Sequence, residues 1–341
     1  MKKRNTFIWL AVIAAITLIF ALAGCDNETT PNNTPKITVY ASGYSMSNGK
    51  ASYWKNKDSH TLDVPSTADT SAIAVYGKDV YVAGSYDSSG NNDIRACYWK
   101  NGKRTALETT SFSNAYHAVS VNGTDVYAAG YYTDSGDNYK ACYWKNGTRT
   151  TLNAPSSFSN THALYIAFSG EDMYVAGSYL DDSGVFRAYY WKNGTFNALS
   201  PSSVAQTCAI TVSGTDVYIV GLYEDDGKDK ACYWKNGNIT ALDSVESRAY
   251  DIAISGADVY AAGYFGTLPQ ACYWKNNERI VLPGSFSEAL AIAVFDGDVY
   301  AAGYYDDSGD KKFCYWKNGE REVITDLESY YSISDISVVY E

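Results

Sequence analysis

Three kinds of side chain in this 341-residue chain could do chemistry: six cysteines in its body, three histidines, and aspartates gathered in short loops. Cys97, Cys142, Cys232, Cys272 and Cys314 occupy one position of a recurring stretch, "ACYWKNG" or a close variant, and Cys208 stands apart. No Cys-x-x-Cys or Cys/His spacing that would hold zinc or haem is present. His60 falls in a predicted outer strand, and His117 and His162 begin two successive inner strands, with Arg248 in a later one. Together these could move protons in a hydrolase or lyase, but no carboxylate partner stands near either histidine in sequence, and G-x-S-x-G, H-E-x-x-H and P-loop motifs are absent.

The aspartates are more numerous. "DSSGNND" (87–93), "TDSGDN" (133–138), "LDDSG" (180–184), "EDDGKD" (224–229) and "DDSGD" (306–310) carry Asp87, Asp134, Asp181, Asp182, Asp225, Asp226, Asp306 and Asp307. Tyrosines such as Tyr132 and Tyr305 stand just before them. Carboxylates beside aromatic rings suit a sugar, a cationic peptide or a protein partner. Acid-and-glycine loops also bind Ca²⁺, but none of these keeps the D-x-[DN]-x-[DN]-G spacing, and Asp-Ser-Gly is equally ordinary turn chemistry. "MSNG" (46–49) and "GTLPQ" (266–270) serve the same connection without acid, so the turn itself does not demand it. We therefore expect these ten residues to mark a ligand-binding face, with no cofactor required.

The elements that must position them follow from a repeat. Trp54, Trp99, Trp144, Trp191, Trp234, Trp274 and Trp316 recur at intervals of 45, 45, 47, 43, 40 and 42 residues. Asp-Val-Tyr starts at Asp79, Asp125, Asp216, Asp258 and Asp298, with Asp172-Met173-Tyr174 and a degenerate Thr38-Val39-Tyr40. Each unit holds four alternating runs separated by turn clusters: "AIAV", "DVYVAG", "ACYWK" and "RTAL" in one copy. Asn-Gly between the last two supplies the positive-φ residues of a two-residue hairpin. A long connection without a hairpin signal then leads to the next unit. A period in the low forties with four strands predicts an all-β, seven-bladed propeller of four-stranded antiparallel blades.

In this register residues 37–44 form a second strand and residues 332–341 an inner one. The last strand should therefore complete the blade begun by the first and close the ring; an open solenoid would gain nothing from such complementary ends. The architecture resembles kelch and WD-repeat propellers, without their double-glycine or Trp-Asp signatures. The Trp-x-Asn-Gly half of the unit is similar to bacterial extracellular repeats named for a His-Ala-Phe start, which implies an envelope protein rather than a particular activity.

The first residues are different material. Lys2-Lys3-Arg4, then "FIWLAVIAAITLIFALA" and "LAGC" ending at Cys25, resemble a bacterial lipoprotein signal peptide. That resemblance implies cleavage before Cys25 and lipid on its thiol; the alternative is an uncleaved anchor, since the apolar run approaches the ~20 residues that span a bilayer. The expected organisation is a signal peptide over 1–24, a polar tether over 25–36 and the propeller over 37–341. Loss of the leader leaves 24 basic against 38 acidic residues, a net charge of about −14, which makes nucleic acid an unsuitable partner. The sequence thus predicts a monomeric, lipid-anchored propeller of the bacterial cell envelope, outside the cytoplasm. It would be a non-enzymatic binding or scaffold module for a protein or carbohydrate, with an envelope hydrolase or lyase, or a purely structural lipoprotein, as alternatives.

Overall fold

Asn101 and Gly102, at φ 51° and 81°, reverse the chain between Ile94–Lys100 and Lys103–Ala106, and the same pair recurs at Asn146-Gly147, Asn193-Gly194, Asn236-Gly237 and Asn318-Gly319. Asparagine and glycine are the residues that reach this left-handed region at least cost. The computed structural model describes residues 36–45, 49–90, 93–107, 113–136, 138–155, 159–181, 183–199, 204–323 and 331–341. The leader, Cys25, most of the predicted tether and Asp182 lie outside these. Among the described residues no helix is long and apolar enough to cross a membrane.

Blade 1 shows the unit. Inner strand Ala68–Tyr76 pairs with Asp79–Asp87, which pairs with Ile94–Lys100, which pairs with the outer Lys103–Ala106, each antiparallel to the last. Blades 2 to 6 repeat this order, with inner strands Ser113–Asn122, Ser159–Ser169, Ala205–Ser213, Ser247–Ser255 and Ser285–Phe295. A single parallel bridge, Arg95 to Ser113, also links blade 1 to blade 2. In blade 7, Tyr331–Tyr340 is the inner strand for Ile37–Ser45, followed by Ala51–Lys55 and Asp58–Thr61. The seven-bladed ring and its closure by the last strand are as the repeat predicts.

The recurring Trp is the wedge between blades. All seven are at most 1% exposed, and the following blade-to-blade contacts show why. Trp99 and Cys97 share one sheet face and pack on Tyr40, Ala51 and Leu62 of blade 7, whereas Tyr98, on the other face, packs towards Ala128 of blade 2. The indole N–H also ties a blade to the crossover before it: Trp99 donates to the Asp63 carbonyl at 2.8 Å, Trp191 to that of Asn153 at 2.7 Å, Trp316 to that of Pro283 at 3.0 Å and Trp274 to the Asp243 carboxylate at 3.1 Å. Apolar burial and a satisfied N–H come from one residue, so truncation to alanine costs about 3–5 kcal/mol per copy.

Asp-Val-Tyr and Tyr-Trp-Lys-Asn are two halves of one clamp. In blade 1 the Asp79 carboxylate accepts from Asn101 Nδ2 and Lys100 Nζ, both at 2.7 Å, while that ammonium sits 5.2 Å from the centre of the Tyr81 ring. Asn101 Oδ1 closes the figure by accepting from the Val80 amide. Asp125, Asp172, Asp216, Asp258 and Asp298 repeat the lysine pairing at 2.7–3.0 Å. These six lysines are therefore neutralised one by one.

Candidate functional site

Two consecutive residues of the inner strands face the ring axis, because each inner strand carries a bulge. The pairing register slips between Thr70 and Ala72, Ala163 and Tyr165, Thr207 and Ala209, Ala249 and Asp251, and Ala289 and Ala291. A bulge needs room on the partner strand, and that room is a glycine. A Cβ on Gly84, Gly177, Gly221, Gly263 or Gly303 would fall 1.8–2.1 Å from the carbonyl oxygen of Asp69, His162, Gln206, Arg248 or Glu288. The glycine after "DVYxx" is thus required by the approach of the strand beside it, not by a turn.

The bulges build a hub cavity of about 370 Å³. Its wall includes Ser71, Cys208, Tyr250, Leu290 and Ser334 at the bulge, and Tyr165, Ala209, Asp251 and Asp335 just after it, with Tyr44 and Asp69 nearer the mouth. At the position after the bulge, blades 1, 2, 4 and 6 carry Ala72, Ala118, Ala209 and Ala291, so alanine suffices for the fold. Blades 3, 5 and 7 depart from it with Tyr165, Asp251 and Asp335.

Each of these aspartates reaches the next blade. Asp251 accepts from the Ile292 amide at 2.7 Å and its own neighbour Ile252 at 2.8 Å; Asp335 accepts from Ile73 at 2.9 Å and Ile336 at 2.7 Å. These are neutral donors, and no Lys, Arg or His is among the residues lining the cavity. Both side chains keep some surface towards the cavity but are otherwise enclosed by protein. Desolvation pushes Asp251 up to about 6 and, reinforced by the charge of Asp251, pushes Asp335 up to about 8. Burial also raises the Tyr165 phenol strongly. Near neutral pH burial and mutual repulsion therefore keep at least one of the two carboxyls protonated.

The acidic loops and the long crossovers emerge together, as backbone bonds from Asp87 to Thr67, Glu224 to Val204 and Gly266 to Glu246 show. The hub cavity opens towards this face, where the inner strands start. Within the loops most predicted carboxylates serve the turns. Asp87 is turned inward and accepts from the Ser89 and Gly90 amides; Asp134 accepts from Gly136 and Asn138. Asp181 accepts from Ser183, Val185 and Arg187 and is held well below the usual carboxylate range by these bonds. Asp225 meets Lys230 at 2.5 Å, Asp226 takes φ 53° in its turn, and Asp306 accepts from Gly309, with Asp307 paired opposite Asp310 at the loop base.

The rim tyrosines are likewise engaged. Arg149 lies 4.0 Å from the centre of the Tyr132 ring, and Arg321 lies 3.8 Å from that of Tyr305, which is buried. Blade 5, which lacks the acid, presents apolar groups instead. Leu268 is 67% exposed, and Phe286, the second residue of blade 6's inner strand, is 55% exposed at φ 42°. The two segments are joined by the Ser287 amide donating to Pro269. A bulky residue in the left-handed region is strained, and here the strain holds a phenyl ring in solvent.

The two described histidine side chains, His60 and His162, do not line the hub. His162 packs against Tyr131 and Tyr139, with ring centres at 4.6 and 5.3 Å, and burial lowers its pKa. His60 stacks on Tyr53, and the His117 side chain lies outside the description. Arg248 instead joins Asp229, while Tyr250 donates to Glu288 at 3.0 Å. Among the described residues no three His, Cys, Asp or Glu side chains stand close enough to hold a metal ion. All six described cysteines are free thiols, and burial raises their pKa values, that of Cys208 to about 12.

The sequence matches no family model and no curated protein. Solved structures show the same fold. An acylaminoacyl peptidase from Pyrococcus horikoshii is similar with a TM-score of 0.53 at 12% identity, covering 86% of this chain and 52% of that one. A puromycin-hydrolyzing peptidase from Mycobacterium tuberculosis gives a TM-score of 0.53 at 10% identity, covering 78% and 48%. This chain spans about half the length of each, and at such identities the likeness concerns the fold alone.

Proposed function

We propose that this chain is a lipid-anchored envelope propeller that acts as a binding module, meeting a protein or carbohydrate ligand with the face that carries the acidic loops. The observation that carries the reading is Phe286: the fold holds it at a strained φ with its ring in solvent, beside the still more exposed Leu268. Single exposed apolar residues are ordinary, but a strained one beside a second marks a contact surface. The acidic loops flank this spot and add long-range attraction for a partner of opposite charge. The anchor rests on the lipobox at Cys25.

Two measurements test this. Intact mass of membrane-extracted protein should show a chain beginning at a diacylated Cys25; an unmodified chain starting at Met1 rejects the anchor. Capture from envelope extract should then be compared between the parent, a Phe286→Ser/Leu268→Ser variant, and one with Asp181, Asp225, Asp306 and Asp307 changed to Asn. Partners retained equally by all three at low and high salt would remove this face from the function. Cleavage of a peptide or glycan by the parent would replace the binding module with the enzyme alternative.

A further inference from the structure

The hub cavity has a chemistry separate from that outer surface. Its wall is assembled from blades 1, 3, 4, 5, 6 and 7 and holds three carboxylates, Asp69, Asp251 and Asp335, with three phenols, Tyr44, Tyr165 and Tyr250. Asp69 is already bonded to the Ser85 amide and hydroxyl. The two deeper aspartates have only amide donors, and an enclosed carboxylate with no countercharge is costly unless it gains a proton or a cation. The nearest cation, Arg248, faces Cys208 and Tyr250 from the mouth, and its charge is engaged by Asp229.

The repeat supplies an independent argument. Four blades build the same place with alanine, so the fold does not require Asp251, Asp335 or Tyr165 there. Their grouping in one cavity is a departure that a ligand would explain. A metal ion is a poor fit, because the described acidic side chains do not converge into a coordination shell. Aromatic walls around separated carboxylates match an organic cation: the carboxylates bind the charge and the ring faces receive the adjoining C–H groups.

We infer that the hub cavity binds an aliphatic ammonium group, delivered as a free amine or as a lysine side chain. The ammonium brings the positive charge that the two carboxylates lack and displaces the proton that one of them carries; that proton leaves to solvent, so binding is linked to proton release. This requires neither the anchor nor a partner on the outer surface.

The test is calorimetric titration of the full chain near pH 7 in two buffers of different ionisation enthalpy. Putrescine and N-acetyl-lysine methylamide are the probes, with KCl and CaCl₂ at matched ionic strength as controls. Saturable binding of an amine, with an enthalpy that shifts between buffers by a released fraction of a proton, is expected. Asp335→Asn should weaken it at least tenfold and abolish the buffer dependence. Asp251→Ala, which installs the residue of four other blades, should weaken it without unfolding the ring, and Glu278→Gln, at an exposed outer-strand position of blade 5, should change nothing. Putrescine binding without the lysine analogue identifies a free amine, and the converse a side chain. No saturable amine binding, equal binding by Asp335→Asn, or an equal response to CaCl₂ overturns the inference. None of these outcomes depends on whether the outer face captures a partner.

Discussion

Glu341, just past the end of the last strand, forms a 2.6 Å ion pair with Lys55 of blade 7's third strand, and it also bonds Tyr40 and Thr38. In six blades the corresponding lysine meets the aspartate of Asp-Val-Tyr. Thr38-Val39-Tyr40 lacks that aspartate, and Glu341 supplies the missing carboxylate from across the closure. Lys55 is raised and Glu341 lowered in pKa by this contact. What looks like a degenerate copy in one dimension is a complete clamp in three.

Closure can be tested at two strengths. Glu341→Ala removes a half-exposed pair and should cost no more than about 1 kcal/mol. Deleting residues 332–341 removes the inner strand that pairs along all of Ile37–Ser45, leaving a bare edge and the Val39, Ala41 and Trp54 cluster open. That truncation should lower and broaden thermal unfolding of the entire ring. An unchanged midpoint and width would mean the blades hold without closure.

The bulge glycines make a sharper claim. Gly263→Ala puts a methyl 1.9 Å from the Arg248 carbonyl, and backbone cannot swing aside as a side chain would. We expect a loss above about 3 kcal/mol, seen as a large fall in Tm. Gly256→Ala is the control: its φ of 60° is unfavourable for alanine, but nothing lies within 4 Å of the added carbon, so about 1–2 kcal/mol is expected. Equal losses would show that backbone conformation, not crowding at the bulge, explains both.

The buried thiols report on the same packing. Cys97, Cys142, Cys232, Cys272 and Cys314 are fully buried with raised pKa values, so a thiol reagent should reach them only through unfolding. Labelling of the native protein followed by mass mapping should show these five unmodified over the time in which denatured protein reacts completely. Fast labelling of any one would locate a blade that opens on its own.

The ring was legible because its signals are local and repeated: Asn-Gly turns, alternation, and Trp at a steady period each point to the same blade. The hub was not. Asp251 stands in "AYDIAIS" as an unremarkable alternating residue, and a search for known catalytic spacings passes over it. Aligning that stretch with "TSAIAVY" reveals aspartate where alanine recurs, which is the signal that would have found it. Its consequence still depended on the bulge, since only the slipped register turns both Tyr250 and Asp251 to the axis. The acidic loops were legible as loops, but Asp87, Asp134, Asp181, Asp225 and Asp306 are held by neighbouring amides or basic side chains, which composition does not reveal.

The hub aspartates also predict how stability varies with pH. Asp251 and Asp335, raised to about 6 and about 8, hold protons more tightly in the folded chain than in the unfolded one, where carboxyls titrate near ~4. Their contribution is therefore complete below the unfolded value and is lost as pH climbs through roughly 6 to 8. Carboxylates lowered by their partners, among them Asp181, Asp134 and Glu341, act oppositely and lose their contribution as the solution becomes acidic. His162, lowered by burial, disfavours folding only as pH falls below its ordinary value. Between pH 6.5 and 7.5 the hub is thus the main source of slope, and the parent should lose Tm as pH rises; above about pH 8 the six described thiols, also raised by burial, add to the loss. Asp335→Asn is neutral throughout and leaves Asp251, which is already largely ionised above pH 6.5, without a charged neighbour, so it should remove most of that slope whatever it does to the absolute Tm. Thermal melts of both proteins across this range decide the matter: parallel curves would show that the two aspartates titrate as ordinary exposed carboxylates and that the hub holds no proton at neutral pH.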